Sequence, residues 1–454
     1  MTYRTLNPAT EELIQSYPEL DWIEVKAAAE EAHQAFLSWR ETSFEKRRQL
    51  FLKMAEKLTA QKAEFASLMT QEMGKTIVES EKEIEKCALG CTYYAEHSEN
   101  FLKPQRIESD ASQSYVRFDP LGVILIIMPW NFPFWQVFRC SIPALMAGNT
   151  MILKHAPNVP GCATTISRLF HEVGFPKGVF QSVFCSNENV AQLIESPQIR
   201  GVSLTGSDRA GSAVAATAGR AIKKVVLELG GSDPFVVLPD ADLEKCIPWA
   251  LRSRMLNCGQ SCIAAKRFIL TKSIAKGFEE RFLKAVEGQR VGDPMSRETN
   301  IGPMAREDLL QNLSRQVDES KRRGAVCLYG GERLSRKGYF YLPTVLREVQ
   351  PGMAAFEEET FGPVASLIVA KDEEEAIELA NRTPYGLGAS LWTRDLEKAE
   401  RLAAKIDAGS VFINGMTKSD PRLPFGGTKR SGLGRELSSF GIQEFTNLKT
   451  VWIA

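Results

Sequence analysis

No long apolar run interrupts this chain of 454 residues. The longest stretch, Leu121 to Met128, falls far short of the ~20 residues a membrane-crossing helix needs. The opening MTYRTLNPATEE carries no apolar secretory core. The expectation is a cytoplasmic protein with no membrane partner. Net charge is missing too: Lys plus Arg number 56 and Asp plus Glu 56, so nothing overall steers the chain to nucleic acid. Histidine is scarce. His33, His97, His155 and His171 stand in no motif of a catalytic base, which leaves acid–base work to a carboxylate or a lysine. The nine cysteines are odd in number and form no disulfide framework. Cys87 and Cys91 share a helical spacing, but no second Cys or His pair follows closely, so they read as buried helix residues rather than metal ligands. The GxGxxG fingerprint is absent. Gly432-x-Gly434 lacks the last glycine and follows no strand, which argues against a plain Rossmann dehydrogenase. There is no internal repeat and no low-complexity segment.

What is present is a globular balance, 44% apolar and 25% charged. The length suits about three folding units or two large ones. Residues 24 to 103 read as helices, with apolar residues at three- and four-residue steps and a break at Gly74. After Pro104 the alternation in QSYVRF predicts a strand of a separate arm. From Gly122 to Gly231 apolar runs (GVILIIM, TMILK, VFQSVF, GVSLTG, KKVVLELGG) alternate with amphipathic stretches, the last of them SDRAGSAVAATAGRAI. That alternation predicts a parallel sheet covered on both faces. A second α/β pattern follows, with PFVVL, RFIL, VASLIVA and SVFIN as strands, and TNLKTVWIA reads as a final strand.

Four features could carry chemistry. Cys262, in NCGQSCIAAKR, has small neighbours that leave room for a nucleophilic thiol, although a lone cysteine is more often a core residue. Glu228, in VVLELGG, ends an apolar strand, where open α/β sheets place their ligands. Burial there would raise its pKa and make it a usable base; it could equally be tied to backbone N–H groups. Asn131, between Pro129 and Pro133, is a stiffly held amide of the kind an oxyanion hole needs, or a structural turn. Lys154 closes one strand, and Thr205-Gly206-Ser207 closes another and opens a helix whose start favours a phosphate, or is an ordinary cap.

Taken together, NPAT, MPWNFP, LELGG, GQSC, EETFGP and PFGGTKRSG stand in the order found in the aldehyde dehydrogenase superfamily, which the chain resembles over nearly its whole length. The resemblance implies an α/β fold of two parallel-sheet domains and a small β oligomerisation arm. A Rossmann-like cofactor domain would span 1–103 and 121–230, a catalytic domain 231–438, and the arm 104–120 and 439–454. It implies Cys262 as nucleophile, Glu228 as general base, and Asn131 with the Cys262 backbone N–H as oxyanion donors. Met128, Pro129, Trp130, Lys154, Ala156, Pro157, Gly206, Ser207, Leu229, Glu359 and Phe361 would bind the dinucleotide, although Glu357–Glu359 by itself reads as a solvated acidic run. A homodimer or homotetramer is implied.

Within the family, PWNFPFWQVFRCSIPAL followed by KHAPNVPGCA resembles the succinate-semialdehyde dehydrogenases. Arg139, eight residues after Asn131, would grip a substrate carboxylate, or else make a structural ion pair on its helix. Ser419 would add a hydroxyl contact. Some members carry a second arginine where this chain has Leu256, which leaves glutarate semialdehyde or a broad range of aldehydes open. NAD-preferring members tend to place an acid at Pro157. Its absence, with Lys154 and His155 close by, implies NADP, with NAD also accepted.

Overall fold

A computed structural model describes residues 2–454. One sheet has the order Gly432–Leu433, Lys224–Glu228, Ile199–Thr205, Val123–Met128, Thr150–His155, Phe180–Ser182. All neighbours in it are parallel except the first pair. The strand that comes first in the chain lies inside the sheet. The chain builds outward from it through 150–155 and 180–182, then crosses over to lay 199–205 and 224–228 on its other side. That reversal creates a crevice at the carboxyl ends of the strands.

The strand Val123–Met128 shows why this sheet is covered twice. Ile124, Ile126 and Met128 face one core, built with the helices Phe44–Ala60, Lys62–Met73, Ile77–Phe101, Trp135–Met146 and Pro160–Glu172. Val123 and Leu125 face another, with Val25, Ala29 and Ala32 of the helix Trp22–Trp39. The period-2 alternation of a strand buried on both faces produces this split. Asp21 starts the helix 22–39 with a capping box to Glu24. Gly74, at φ 83°, ends the helix 62–73 in the left-handed conformation. Cys87 and Cys91 are buried thiols within the helix 77–101.

The second sheet runs Val326–Tyr329, Thr344–Arg347, Val364–Ala370, Ala265–Thr271, Asp233–Val237, Gly388–Trp392, Ser410–Ile413. Its first pair is antiparallel and the rest parallel. A separate antiparallel sheet joins Thr446–Ile453, Gln113–Pro120 and Gln105–Arg106, leaving Leu448 and Trp452 more than half exposed.

Two expectations need correction, and one element is additional to them. The sheets are mixed at one edge each rather than wholly parallel. VFQSVF contributes only Phe180–Ser182, because the chain leaves the sheet edge to start the helix Asn187–Glu195, capped by Ser186. The hairpin Thr2–Leu6 with Leu13–Pro18 was not foreseen: its second strand is exposed along most of its length and has little apolar signal.

Candidate active site

The carboxyl ends of the first sheet meet the amino ends of the second. In register, Ile127 lies beside both Lys154 and Leu204, and Thr205 lies beside Glu228, so the loops that follow these strands leave from one level. From the second sheet, the turns before Ala265 and Val364 approach the same level.

The Cys262 loop is tied down by buried polar groups. Asn257, Cys258 and Gly259 are all left-handed, with φ 55°, 56° and 70°. Glycine is required at 259, since a Cβ there would lie 2.3 Å from the Gly362 carbonyl oxygen. Arg254 crosses beneath the turn and donates to the carbonyls of Gly259 (2.6 Å), Gly362 (2.7 Å) and Ala265 (3.1 Å). Asn257 Nδ2 donates to the Asn131 carbonyl at 2.7 Å, and Asn131 Nδ2 donates to the Gln260 carbonyl at 3.0 Å. The Asn131 amide is thus aimed at the cysteine loop and keeps one N–H in reserve. Lys266 Nζ donates to the carbonyls of Ser261 (2.9 Å) and Cys262 (2.6 Å) and lies 3.4 Å from Glu359 Oε1. Burial pushes the Cys262 thiol up to about 11, against the opposing pull of Arg139 and Lys266.

Glu228 is 2% exposed, and neither carboxylate oxygen has a hydrogen-bond partner among the described residues. Burial pushes its pKa well above the ordinary carboxylate range, Arg139 pulls it back, and Glu436 adds to the rise. Gly426 leaves room for it: a Cβ there would lie 2.8 Å from Glu228 Oε1. Of the two readings of Glu228, tethering by backbone N–H groups is the one the geometry lacks.

Arg139 is buried and its Nε is ion-paired with Glu436. Its Nη2 donates to Thr205 Oγ1 at 3.3 Å, and its guanidinium carbon lies 4.7 Å from the Phe425 ring centre. The structural ion pair set out as one reading of this residue is therefore formed, with Glu436 as its partner. Ser419 accepts from Lys86 Nζ (2.6 Å) and Trp135 Nε1 (3.0 Å).

The remaining candidates form two groups. Trp130 meets Phe361 edge-on at 5.8 Å, and the Glu359 carboxylate accepts from the Gly231 N–H at 3.0 Å, so Glu359 is held in place rather than free in an acidic run. Met128, Pro129, Lys154, Ala156, Pro157, Gly206 and Ser207 lie along the strand ends. Pro157 and Ser207 are exposed, Lys154 is buried, and Ser207 accepts from the Ala210 N–H to start the helix Asp208–Arg220. Leu229 packs over Gly211, where a Cβ would lie 2.6 Å from it. A lysine, a helix start and a fixed carboxylate suit phosphates and ribose hydroxyls, so these residues fit a dinucleotide. His155 does not serve as expected. Its ring lies between the Met128 and Pro133 carbonyls (3.2 and 2.9 Å), and burial pulls its pKa down to about 4, so it brings no charge to a phosphate.

Sequence reasoning missed Glu436, Lys266 and Lys86. Lys266 had a signal, since LysArg enters the wholly buried strand 265–271. Glu436 and Lys86 had none, because their partners lie hundreds of residues away.

The aldehyde dehydrogenase family profile matches residues 1–451. A probable succinate-semialdehyde dehydrogenase [NADP(+)] of Synechocystis sp. is 49% identical over 454 residues, covering all of both chains. The succinate semialdehyde dehydrogenase [NAD(P)+] Sad of Escherichia coli is 47% identical over 448 residues, 99% of this chain and 97% of its own. The crystal structure of a Streptococcus pyogenes succinic semialdehyde dehydrogenase with NADP+ superposes with a TM-score of 0.97 at 36% identity, covering 99% of each chain.

Proposed function

The chain belongs to the aldehyde dehydrogenase family, and on that premise we propose that it oxidises succinate semialdehyde to succinate, with NADP preferred and NAD accepted. Full-length identity near one half to enzymes named for this substrate supports the choice. Lys154, Ser207, Glu359 and their neighbours would hold the dinucleotide, and no acid stands at Pro157 to repel a 2′-phosphate. Bound there, the dinucleotide supplies the hydride acceptor.

The chain's own residues do the rest. The charges of Arg139 and Lys266 favour the Cys262 thiolate against burial. The thiolate adds to the aldehyde carbon, and the oxyanion is held by the spare Asn131 N–H and the Cys262 backbone N–H. Loss of hydride leaves a thioester on Cys262. Glu228 takes a proton from a water molecule, which attacks the thioester and releases the acid. The observation that carries this hydrolytic outcome is the unpartnered, buried Glu228 carboxylate. An orphaned buried charge is costly, and a water between Glu228 and the acyl group would satisfy it.

We further propose a cytoplasmic homodimer or homotetramer. No described helix is long and apolar enough to cross a membrane. The exposed Leu448, Trp452 and Ile453 on the three-stranded sheet support burial against a second copy. The test of substrate and cofactor is kcat/KM for succinate semialdehyde, glutarate semialdehyde and butyraldehyde with NADP and with NAD. Highest values for succinate semialdehyde with NADP are expected. Equal values for all three aldehydes would refute the assignment.

A further inference from the structure

Three segments far apart in the chain meet at the cysteine loop: the Gly230-Gly231 turn after Glu228, the loop 261–266 and the turn 359–361. They pack at backbone range. A Cβ at Gly231 would lie 2.9 Å from the Cys262 carbonyl oxygen, and one at Gly230 would lie 2.5 Å from Glu359 Oε2. The Lys266 ammonium stands among them, with its side chain wholly out of water.

An ammonium has three N–H donors and no acceptor. Those of Lys266 face three oxygens: the Ser261 carbonyl at 2.9 Å, the Cys262 carbonyl at 2.6 Å and Glu359 Oε1 at 3.4 Å. Burial pulls the lysine below its ordinary pKa, and Arg254 adds to the fall. Glu359 foremost, then Asp233 and the Cys262 thiol, sustain its charge. Asp233 is itself buried and accepts from the Gly388 N–H at 3.1 Å; burial pushes its pKa up to about 7.

Each contact has a consequence for the reaction. The Ser261 carbonyl belongs to the same planar trans peptide as the Cys262 N–H, and the two point in opposite directions. A cation fixed on that oxygen therefore fixes the direction of the N–H. It also polarises the peptide, which makes the N–H a stronger donor. That N–H is the second oxyanion donor beside Asn131. The third contact acts on the cofactor side. Glu359 Oε1 is taken by Lys266 and by the Gly231 N–H at 3.0 Å, whereas Oε2 has no hydrogen bond among the described residues. The carboxylate is held by one oxygen and keeps the other for a new donor.

We propose that Lys266 is a positioning residue with two ends: it aims the Cys262 N–H at the oxyanion, and it holds Glu359 ready for a ribose hydroxyl of the dinucleotide. The second end rests on the reading of Glu359 as a dinucleotide-binding residue. The nucleophile's loop and the cofactor's carboxylate are then set by one ammonium.

The test is a double-mutant cycle of Lys266→Met, which keeps length and loses all three donors, with Glu359→Ala. Lys266→Gln, which keeps a neutral donor, carries the same comparisons should Lys266→Met fail to fold. Two quantities are read: the NADP Kd by fluorescence titration, and kcat at saturating NADP and succinate semialdehyde. Losing the charge-assisted contact to Glu359 predicts a rise in NADP Kd of about tenfold in Lys266→Met, and no further rise when that change is added to Glu359→Ala. Misdirecting one oxyanion donor predicts a fall in kcat of about ten- to a hundredfold, by the same factor with or without Glu359, and partly recovered in Lys266→Gln. A merely structural role would weaken NADP binding by the same factor in both backgrounds. A Kd rise that is additive, or absent, overturns the Glu359 end of the proposal. An undiminished kcat overturns the oxyanion end. An NADP Kd unchanged in Glu359→Ala itself overturns the cofactor reading of Glu359 and the end that rests on it, and kcat still decides the other.

Discussion

Replacing Arg139 by methionine separates a charge-tuning role from a substrate-gripping one. The guanidinium is 3% exposed and its partner Glu436 5% exposed, so the pair is effectively out of water. Removing one member leaves Glu436 with the neutral Ser203 Oγ, at 3.3 Å, and the Cys140 thiol but no cation to balance its charge. Breaking a buried pair in this way typically costs about 3–5 kcal/mol. Arg139→Met should therefore melt well below wild type, and adding Glu436→Gln should return most of the loss by removing the uncompensated charge. The catalytic effect follows from the same charge. Arg139 opposes the burial that raises both Glu228 and Cys262. Both groups work in their ionised forms, so activity rises as pH climbs through their pKa values. Losing the neighbouring cation raises those values further, and the rising limb of the kcat profile should move up by about one pH unit or more. Succinate semialdehyde and butyraldehyde should suffer alike. The assays are a thermal melt and a pH–rate profile for each substrate. A variant that melts like wild type, keeps its pH limb and loses only succinate semialdehyde would refute the reasoning and return the carboxylate grip to Arg139.

Two further outcomes are expected. With the Cys262 thiol pushed up to about 11 in the cofactor-free enzyme, its alkylation by iodoacetamide, corrected with Cys262→Ala, should quicken about tenfold per pH unit through the mildly alkaline range. A rate levelling near the ~8.5 of a free cysteine would contradict the burial argument. Gly259→Ala should lower both kcat and the melting temperature, because a Cβ would strike the Gly362 carbonyl at 2.3 Å on a residue held at φ 70°. Strain of this kind costs of order 1–3 kcal/mol, and wild-type kcat in that variant would show that the turn relaxes freely.

The strands of both sheet interiors were legible because burial on two faces leaves unbroken apolar runs such as VILIIM and VASLIVA. The edges were not. Gly432–Leu433 is two residues long and pairs with Leu227 and Glu228 from across the chain, so nothing local marks it as a strand. The same limit applies in the site. Cys262, Glu228 and Asn131 stand in local motifs that can be read as words. The ion pair of Arg139 with Glu436 and the contact of Lys86 with Ser419 join residues hundreds of positions apart, and only packing brings them together. His155 shows the converse. Its position beside Lys154 suggested a charge, but strand alternation turns its ring inward to two carbonyls.

The most direct test of the account is the fate of Cys262 in Glu228→Gln. That change keeps the shape of the side chain and removes the base, so acylation should outrun deacylation. Mixed with succinate semialdehyde and NADP and then quenched, the variant should give a burst of NADPH. Peptide mass analysis should find a succinyl thioester on Cys262 in nearly every active site. Rapid steady turnover with no acyl group on Cys262, or an acyl group on a different residue, would contradict it.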